Sequence, residues 1–426
     1  MMFYKETDFK ETPIGKIPKD WGIVRLKDVA NISSGNTAPQ DDKYFENGKY
    51  PFIRVQHLKE LEEEKYPSIY DLVNDHAINE LKLKRIKKGS IIFPKSGESI
   101  RLEKRAILKE DAYVVNHLAV IDPSSPNVNN LFLFYYLLSF RTSNYLTKTT
   151  MPSLNLSMIN SFLAPLPLLP EQQKIGEVLS TVDQAIQKSN EIIAKTERLR
   201  KGLMQELLTK GIGHKEFKDT EIGRIPKEWE VVRLGDMTKV TVGYVGPISE
   251  FYTSKNNGIP LLSTTNISED GIKLEELKYV TFEFYRRNKK SRIFPNDVII
   301  ARHGLSGTAA VVPESLKEGQ CLNVVIVRAS EKFESKFIEY CFNFKLTRER
   351  LVGWKSGSVQ GVVNTKVLEK FKFPIPPLHE QRKIASILST VDAKLELERK
   401  EKAKLERIKQ GLMDLLLTGK IRIKVD

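Results

Sequence analysis

EQQKIGEVLSTVD begins at Glu171 and EQRKIASILSTVD begins at Glu380, 209 positions later, with nine of the thirteen residues identical. Each copy follows a proline-rich lead-in, PLPLLP from Pro165 or PIPPLH from Pro374, and each runs out through a matching segment, GLMQELLT from Gly202 and GLMDLLLT from Gly411. The chain is an internal duplication, and its spacing governs the reading of everything else.

Both copies read as one long helix. In the first, apolar or small residues fall at Ile175, Leu179, Val182, Ile186, Ser189, Ile193, Thr196, Leu199, Leu203 and Leu207, an alternation of four and three that marks a coiled-coil seam. The second gives Ile384, Leu388, Val391, Leu395, Leu405, Ile408, Leu412 and Leu416, interrupted by Glu398 and Lys402. Those interruptions leave two readings open, a helix bent away from its partner or buried polar groups that set register. A single striped helix of this length would expose its apolar face, so the two copies are expected to pack on each other; if they run antiparallel, a pseudo-twofold axis relates the two halves. Some forty residues at 1.5 Å each span about 60 Å.

The duplication extends to the front of each half. Between Thr12 and Leu26, ten of fifteen residues recur at an offset of 208, among them Pro18/Pro226, Trp21/Trp229 and Leu26/Leu234. Both tryptophans read as core anchors, since an indole buries a large apolar area. Further in, the halves diverge except for short Ile/Val-rich islands that read as strands: YPFIRVQHL against IPLLSTTNI, GSIIFPKSG against NDVIIARHG, and VVNHLAVID against CLNVVIVRA. Leu131 to Phe140 and Phe337 to Leu346 read as short helices, and the proline-rich lead-ins as linkers. The expected fold class is α/β (α+β): a globule at 1–165, a helix at 166–212, a second globule at 213–373 and a second helix at 374–426.

A formal charge of +14 and an isoelectric point near 9.4 point to nucleic acid, an acidic membrane surface or an acidic protein. Two cysteines, Cys321 and Cys341, are too few for a disulfide framework or a thiolate metal site, and the most apolar run is about half of what a bilayer needs. A soluble, cytoplasmic protein with no membrane association and no bound metal is the expectation. No P-loop, dinucleotide turn, HExxH, nucleophile elbow or amino-methyltransferase motif is present, so the catalytic set is expected to be empty.

Charge is the chemistry that remains. Residues 82 to 105 hold nine Lys or Arg against two Glu, and residues 286 to 302 hold six against one Asp, at matching places in the two halves. Lys82, Lys84, Arg85, Lys87, Lys88, Lys104 and Arg105, with Arg286, Arg287 and Lys289, are therefore candidates for tracking phosphates. Base reading needs forked or amide side chains on loops beside the repeated strands. Those loops offer Arg54, Gln56, Lys95, Ser96 and Arg101 in the first half, and Ser263, Thr264, Asn266, Arg302 and His303 in the second.

With IPKDWGIVRLKDV and IPKEWEVVRLGDM at the two domain starts, the two PLPLLPEQQKIGEVLSTVD-like helix starts and the paired GLM exits, the sequence resembles the specificity subunit of type I restriction-modification enzymes. The resemblance implies two target-recognition domains that each read one half of a split double-stranded DNA site, held apart by an antiparallel coiled coil. It implies two modification subunits that methylate adenine with S-adenosylmethionine and restriction subunits that cleave using ATP and Mg²⁺. This chain itself would bind no cofactor. It carries over no base-reading residue, because those vary with the target. Two alternatives stay open at this point: a stand-alone DNA-modifying enzyme and a purely structural coiled-coil scaffold.

Overall fold

The computed structural model describes residues 2–59, 65–145, 152–303, 306–355 and 365–425. The chain forms two compact units, one made of Met1–Ile192 with Glu398–Asp426 and the other of Ile193–Leu397.

In the first unit, β1 (Ala30–Ser34), β2 (Tyr50–Ile53), β3 (Ile91–Pro94), β4 (Tyr113–Val114) and β5 (Leu118–Pro123) divide between two sheets. β5 lies between β1 and β3 and is antiparallel to both, while β4 runs parallel to β2. Residues 118–121 of β5, Leu-Ala-Val-Ile, are all buried, as are all four residues of β3. A strand covered on both faces needs a continuous apolar run, which is what these islands supply.

The second unit repeats the plan with β6 (Thr238–Val242), β7 (Gly258–Ser263), β8 (Val298–Ala301), β9 (Gly319–Leu322) and β10 (Val324–Ala329). β10 is antiparallel to both β6 and β8, and β7 is parallel to β9.

Four helices hold these sheets in place: α1 (Asn130–Ser139), α2 (Leu169–Thr209), α3 (Ser335–Asn343) and α4 (Leu378–Leu416). The expected short helices are α1 and α3. The lead-ins differ from expectation. They are edge strands, not linkers: Leu163–Leu166 pairs antiparallel with Gly22–Arg25, and Lys372–Ile375 with Glu230–Arg233. Pro165 and Pro374 are tolerated because each sheet has only two strands, so a missing N–H can face outward.

The repeated helix start is explained by what its side chains hold. Trp21 and Trp229 are 1% and 0% exposed, and their indole N–H groups donate to Glu171 (3.2 Å) and Glu380 (3.1 Å). Gln172 donates to the Pro167 carbonyl and accepts from the Asn129 N–H, beside the N-terminus of α1. Gln381 does the same with the Pro376 carbonyl and the Glu334 N–H beside α3. The Glu-Gln pair thus ties the long helix to the front and the back of its globule at once.

Further along each helix, the Ser-Thr-Val-Asp segment adds a second clamp. Asp183 accepts from the Tyr135 hydroxyl of α1 and pairs with Lys409 of α4 at 2.7 Å. Asp392 accepts from the Tyr340 hydroxyl of α3 at 2.7 Å and pairs with Arg200 of α2 at 2.5 Å. Burial, with the nearby aspartate, pushes both tyrosine hydroxyls far up, so they stay donors. The first clamp carries an extra cation, Lys65, which donates to Ser180 (2.6 Å) and is itself pushed down by burial.

These bonds also give direction. In the first unit Glu171, near the start of α2, meets Arg422 just beyond α4, while Asp183 meets Lys409 inside it. In the second unit Glu380 accepts from the Ile212 N–H just beyond α2, while Asp392 meets Arg200 inside it. Within each unit the helical segments run antiparallel.

The apolar seam is interrupted more than the four-three spacing suggests. Ile175, Leu179, Ile186, Ile384, Leu388 and Leu395 are buried, and Val182, Ile193, Leu203, Val391, Leu405 and Leu412 are half-buried. Leu199, expected on the seam, is 55% exposed, and Ile408 is exposed as well. At 3.6 residues per turn a straight helix drifts off a seven-residue repeat, so the next position takes over. That position is Arg200 in α2 and Lys409 in α4, the two cations that hold the aspartates. Lys402 is three-quarters buried and pairs along its own helix with Glu406 at 3.6 Å.

Glu171→Ala would leave the Trp21 indole and the Arg422 guanidinium short of their shared buried partner. The expected cost is about 3 kcal/mol, read as a lower urea midpoint for the transition in which Trp21 fluorescence changes, with the Trp229 transition unmoved.

Candidate nucleic-acid interface

Because β5 is antiparallel to both its neighbours, the ends of β1 and β3 lie beside its start, and three loops meet there. The backbone knits them together. The Asn36 N–H donates to the Val114 carbonyl (3.0 Å), the Asn116 N–H to the Asn36 carbonyl (2.7 Å) and the Lys95 N–H to the His117 carbonyl (2.9 Å). Gly35 permits this approach, since a Cβ there would fall 1.8 Å from the Val114 carbonyl oxygen. The Asn36 side chain then recruits the basic stretch: it donates to the Lys82 carbonyl (3.3 Å) and accepts from the Lys84 N–H (2.7 Å). On the other side, Ser96 Oγ and His117 Nδ1 share a 2.6 Å hydrogen bond.

Lys84, Arg85, Lys87 and Lys88 are all exposed. Arg85 pairs with Asp111 at 2.7 Å, and the Lys88 N–H donates to the same carboxylate, the first cause of its lowered pKa. Gln56 is exposed, Lys95, Ser96 and Lys104 are half-buried, and Arg101 is exposed but pairs with Glu98. Arg54 is half-buried and turned inward, with its Nε on Asp71 and its Nη2 on the Pro39 carbonyl. Arg105 is withdrawn from the surface altogether. It is 3% exposed, and its guanidinium is spent on Glu103, the Phe140 carbonyl and Thr142. A charge count along the sequence could not separate it from its exposed neighbours.

The second unit builds the same meeting point from different side chains. The Tyr244 N–H donates to the Cys321 carbonyl (2.8 Å), and the Asn323 N–H to the Tyr244 carbonyl (3.0 Å). Gly243 stands where Gly35 does, with Cys321 Sγ 2.7 Å from a would-be Cβ. Thr264 donates to the Asn323 carbonyl at 3.3 Å. Ser263 and Asn266 are occupied within their own turn: the Ser263 N–H donates to Asn266 Oδ1 (2.9 Å), and Asn266 Nδ2 to the Lys273 carbonyl (3.4 Å). Arg302 is half-buried with its carbonyl accepting from Ser306, and His303 is exposed; Gly304 and Leu305 of that loop lie outside the described residues. Arg286, Arg287 and Lys289 are exposed on the flank, Arg287 pairing with Glu283 at 2.6 Å.

Both halves of the chain have counterparts in known proteins. Residues 18–198 and 226–407 each match the type I restriction modification DNA specificity domain. The chain belongs to this family.

Similar specificity subunits include the putative MjaX specificity subunit of Methanocaldococcus jannaschii, 32% identical, with all of this chain and 99% of that one covered. The MjaVIII specificity subunit of the same organism is 31% identical, over all of this chain and 98% of the relative. A more distant one, the EcoBI specificity subunit of Escherichia coli, is 23% identical over 86% of this chain and 78% of its own length. Among solved structures, the S subunit of a type I restriction-modification system from M. genitalium shares the fold with a TM-score of 0.62 and 14% identity, covering 96% of this chain and 97% of that one. A chain from a study of complex assembly in the type I system has a TM-score of 0.54 at 19% identity, covering 95% and 99%.

Between the two specificity domains, the shared parts are two backbone bonds with a glycine and an asparagine beside them, and most of the other side chains differ. Asn36, Asn116, His117, Tyr244 and Asn323 carry no signal of charge or motif, although Asn116 and Asn323 stand in register in the repeated VVN and CLN islands. Among the described residues, no helix is long and apolar enough to cross a membrane.

The loop next to the first cluster is latched by Glu103. Burial works against its ionisation, but the Ser143 N–H (2.9 Å), Arg105 (2.6 Å) and the Thr142 hydroxyl (2.8 Å) outweigh it and hold the carboxyl at about 2. A carboxyl depressed on folding from 4.5 contributes fully above about pH 4.5, progressively less below it, and nothing below about pH 2. Protection of the Thr142 and Ser143 amides from hydrogen exchange should fall over that window, and in Glu103→Gln it should be low and flat across it.

Proposed function

We propose that this chain is the DNA-reading subunit of a type I restriction-modification complex, with each unit reading one half of a bipartite, asymmetric duplex site. The observation that carries this reading is the pair of equivalent loop clusters, built on the same two backbone bonds at Asn36 and Asn116 or at Tyr244 and Asn323, and different in most of their side chains. Two different readers on one repeated frame suit two different half-sites. Lys84, Lys87 and Lys88 in the first unit, and Arg286 and Lys289 in the second, would track phosphates, a role their exposure supports. Loop residues such as Gln56, Lys95, Ser96, Thr264, Arg302 and His303 are nearer the strand ends, where base edges would be read.

In this reading the recognition modules are 1–165 and 213–373, and the spacers 166–212 and 374–426. Methyl transfer belongs to two modification subunits using S-adenosylmethionine. Cleavage belongs to restriction subunits using ATP and Mg²⁺. The chain binds no cofactor of its own and works in the cytoplasm. The specificity-subunit names of its relatives support this division of labour.

The 41 residues of α2 amount to about 60 Å of helix, which would set the unread gap between half-sites. Removing seven residues from α2 and seven from α4 should shorten that gap by about three base pairs, since each residue contributes about 1.5 Å and each base pair about 3.4 Å. Sequencing the methylated positions made by the reconstituted complex reads both gap and half-sites. Altered half-sites, or methyl transfer by this chain without its partners, would overturn the proposal.

A further inference from the structure

Asn116 and Asn323 occupy one backbone position in the two units. Each N–H donates to the carbonyl of the residue that follows β1 or β6 by two positions, Asn36 or Tyr244, and each lies two residues after the carbonyl accepting that residue's N–H. The backbone therefore holds both asparagines without help from their side chains. Neighbouring amides are spent otherwise. Asn36 uses both ends of its carboxamide on the basic stretch, and Asn266 uses both ends on its own turn. The carboxamides of Asn116, exposed, and Asn323, half-buried, bond to nothing among the described residues.

A left-handed backbone does not account for the pair. Asn323 has φ +54°, a conformation asparagine tolerates, but Asn116 is not among the residues with positive φ. The surroundings are those of a reader. Asn116 stands beside the Asn36 clasp on Lys82 and Lys84 and beside the Ser96–His117 pair. Asn323 receives Thr264 on its carbonyl and immediately precedes Val324, which pairs with Ala301, so Arg302 lies across from it.

Resting on the DNA-reading role above, we propose that Asn116 and Asn323 are specificity-determining residues, each reading an adenine in its own half-site. A carboxamide offers one donor and one acceptor side by side, which matches adenine N7 and N6 in the major groove. Side chains that differ between the units, Ser96 and His117 on one side and Arg302 on the other, then distinguish the bases around that common adenine.

The test uses the full chain purified with its modification subunit and a pool of randomised duplexes, sequenced after binding. Asn116→Asp keeps the shape but leaves only acceptors, so preference at one position of the first half-site should move from adenine to cytosine, by roughly ten- to a hundredfold. Asn116→Ala should lose the preference there without gaining another. Asn323→Gly, which keeps the left-handed backbone, should erase an adenine preference at one position of the second half-site alone. The assignment is overturned if the variants keep every base preference, or if they weaken binding evenly across all sequences. An unmodified complex that enriches no sequence would overturn the DNA-reading role itself, a result distinct from either.

Discussion

Everything in each unit is referred to one buried carboxylate, Glu171 in the first and Glu380 in the second, 1% and 5% exposed. A carboxylate this deep must be paired and hydrogen-bonded, and each takes an indole N–H from the start of its globule. The remaining partner differs. Glu171 receives Arg422, whose guanidinium also reaches Asp20 and Glu6; burial alone would lower its pKa, and these carboxylates push it up instead. Glu380 receives His214 at 2.9 Å and the Ile212 N–H. Arg422 is brought there by a strand, Ile421–Ile423, paired with Phe3–Lys5. A buried ion pair adds little net stability against an apolar alternative, but a misregistered one is costly, so its main effect is to admit one register of helix against globule.

The aspartates Asp183 and Asp392 extend that control along the helix. Each is bonded at once by a tyrosine from its globule and a cation from the opposing helix. Sliding either helix by a turn would strand all three groups. The thirteen-residue repeat is thus less a coiled-coil stretch than two clamps on one helix. Its apolar positions Ile175 and Leu179, or Ile384 and Leu388, join the globule's core between them.

A frame locked in this way leaves the far ends of the sheets free to vary. The loops after β1 and β3, and after β6 and β8, are anchored by main-chain bonds and by the absence of a side chain at Gly35 and Gly243. None of those anchors depends on which side chains project. This is the physical basis for carrying two different readers on one architecture. Arg105 and Arg54, both basic and both near the loops, instead pair with carboxylates of their own globule, Glu103 and Asp71.

The sequence by itself determined the duplication, the two long helices, the Ile/Val strands, the buried tryptophans and the family, because each of these is a local pattern or an exact recurrence at fixed spacing. Only the tertiary structure decided what the recurrence was for. Nothing in EQ-x-x-I announces that its acid meets Trp21 or Trp229, about 150 residues away, and nothing in STVD announces that its acid meets Tyr135 or Tyr340. Seam spacing could not tell Leu199 from Arg200, because helical drift moves burial by one residue and the cation it turns inward is matched by an acid, Asp392, far away in the sequence. Charge counting could not tell Arg105 from Lys88, because burial depends on a fold partner and not on composition. The lead-in prolines became edge strands for the same reason: whether an N–H is missed depends on which side of a two-stranded sheet it faces, and that is settled by the partner strand.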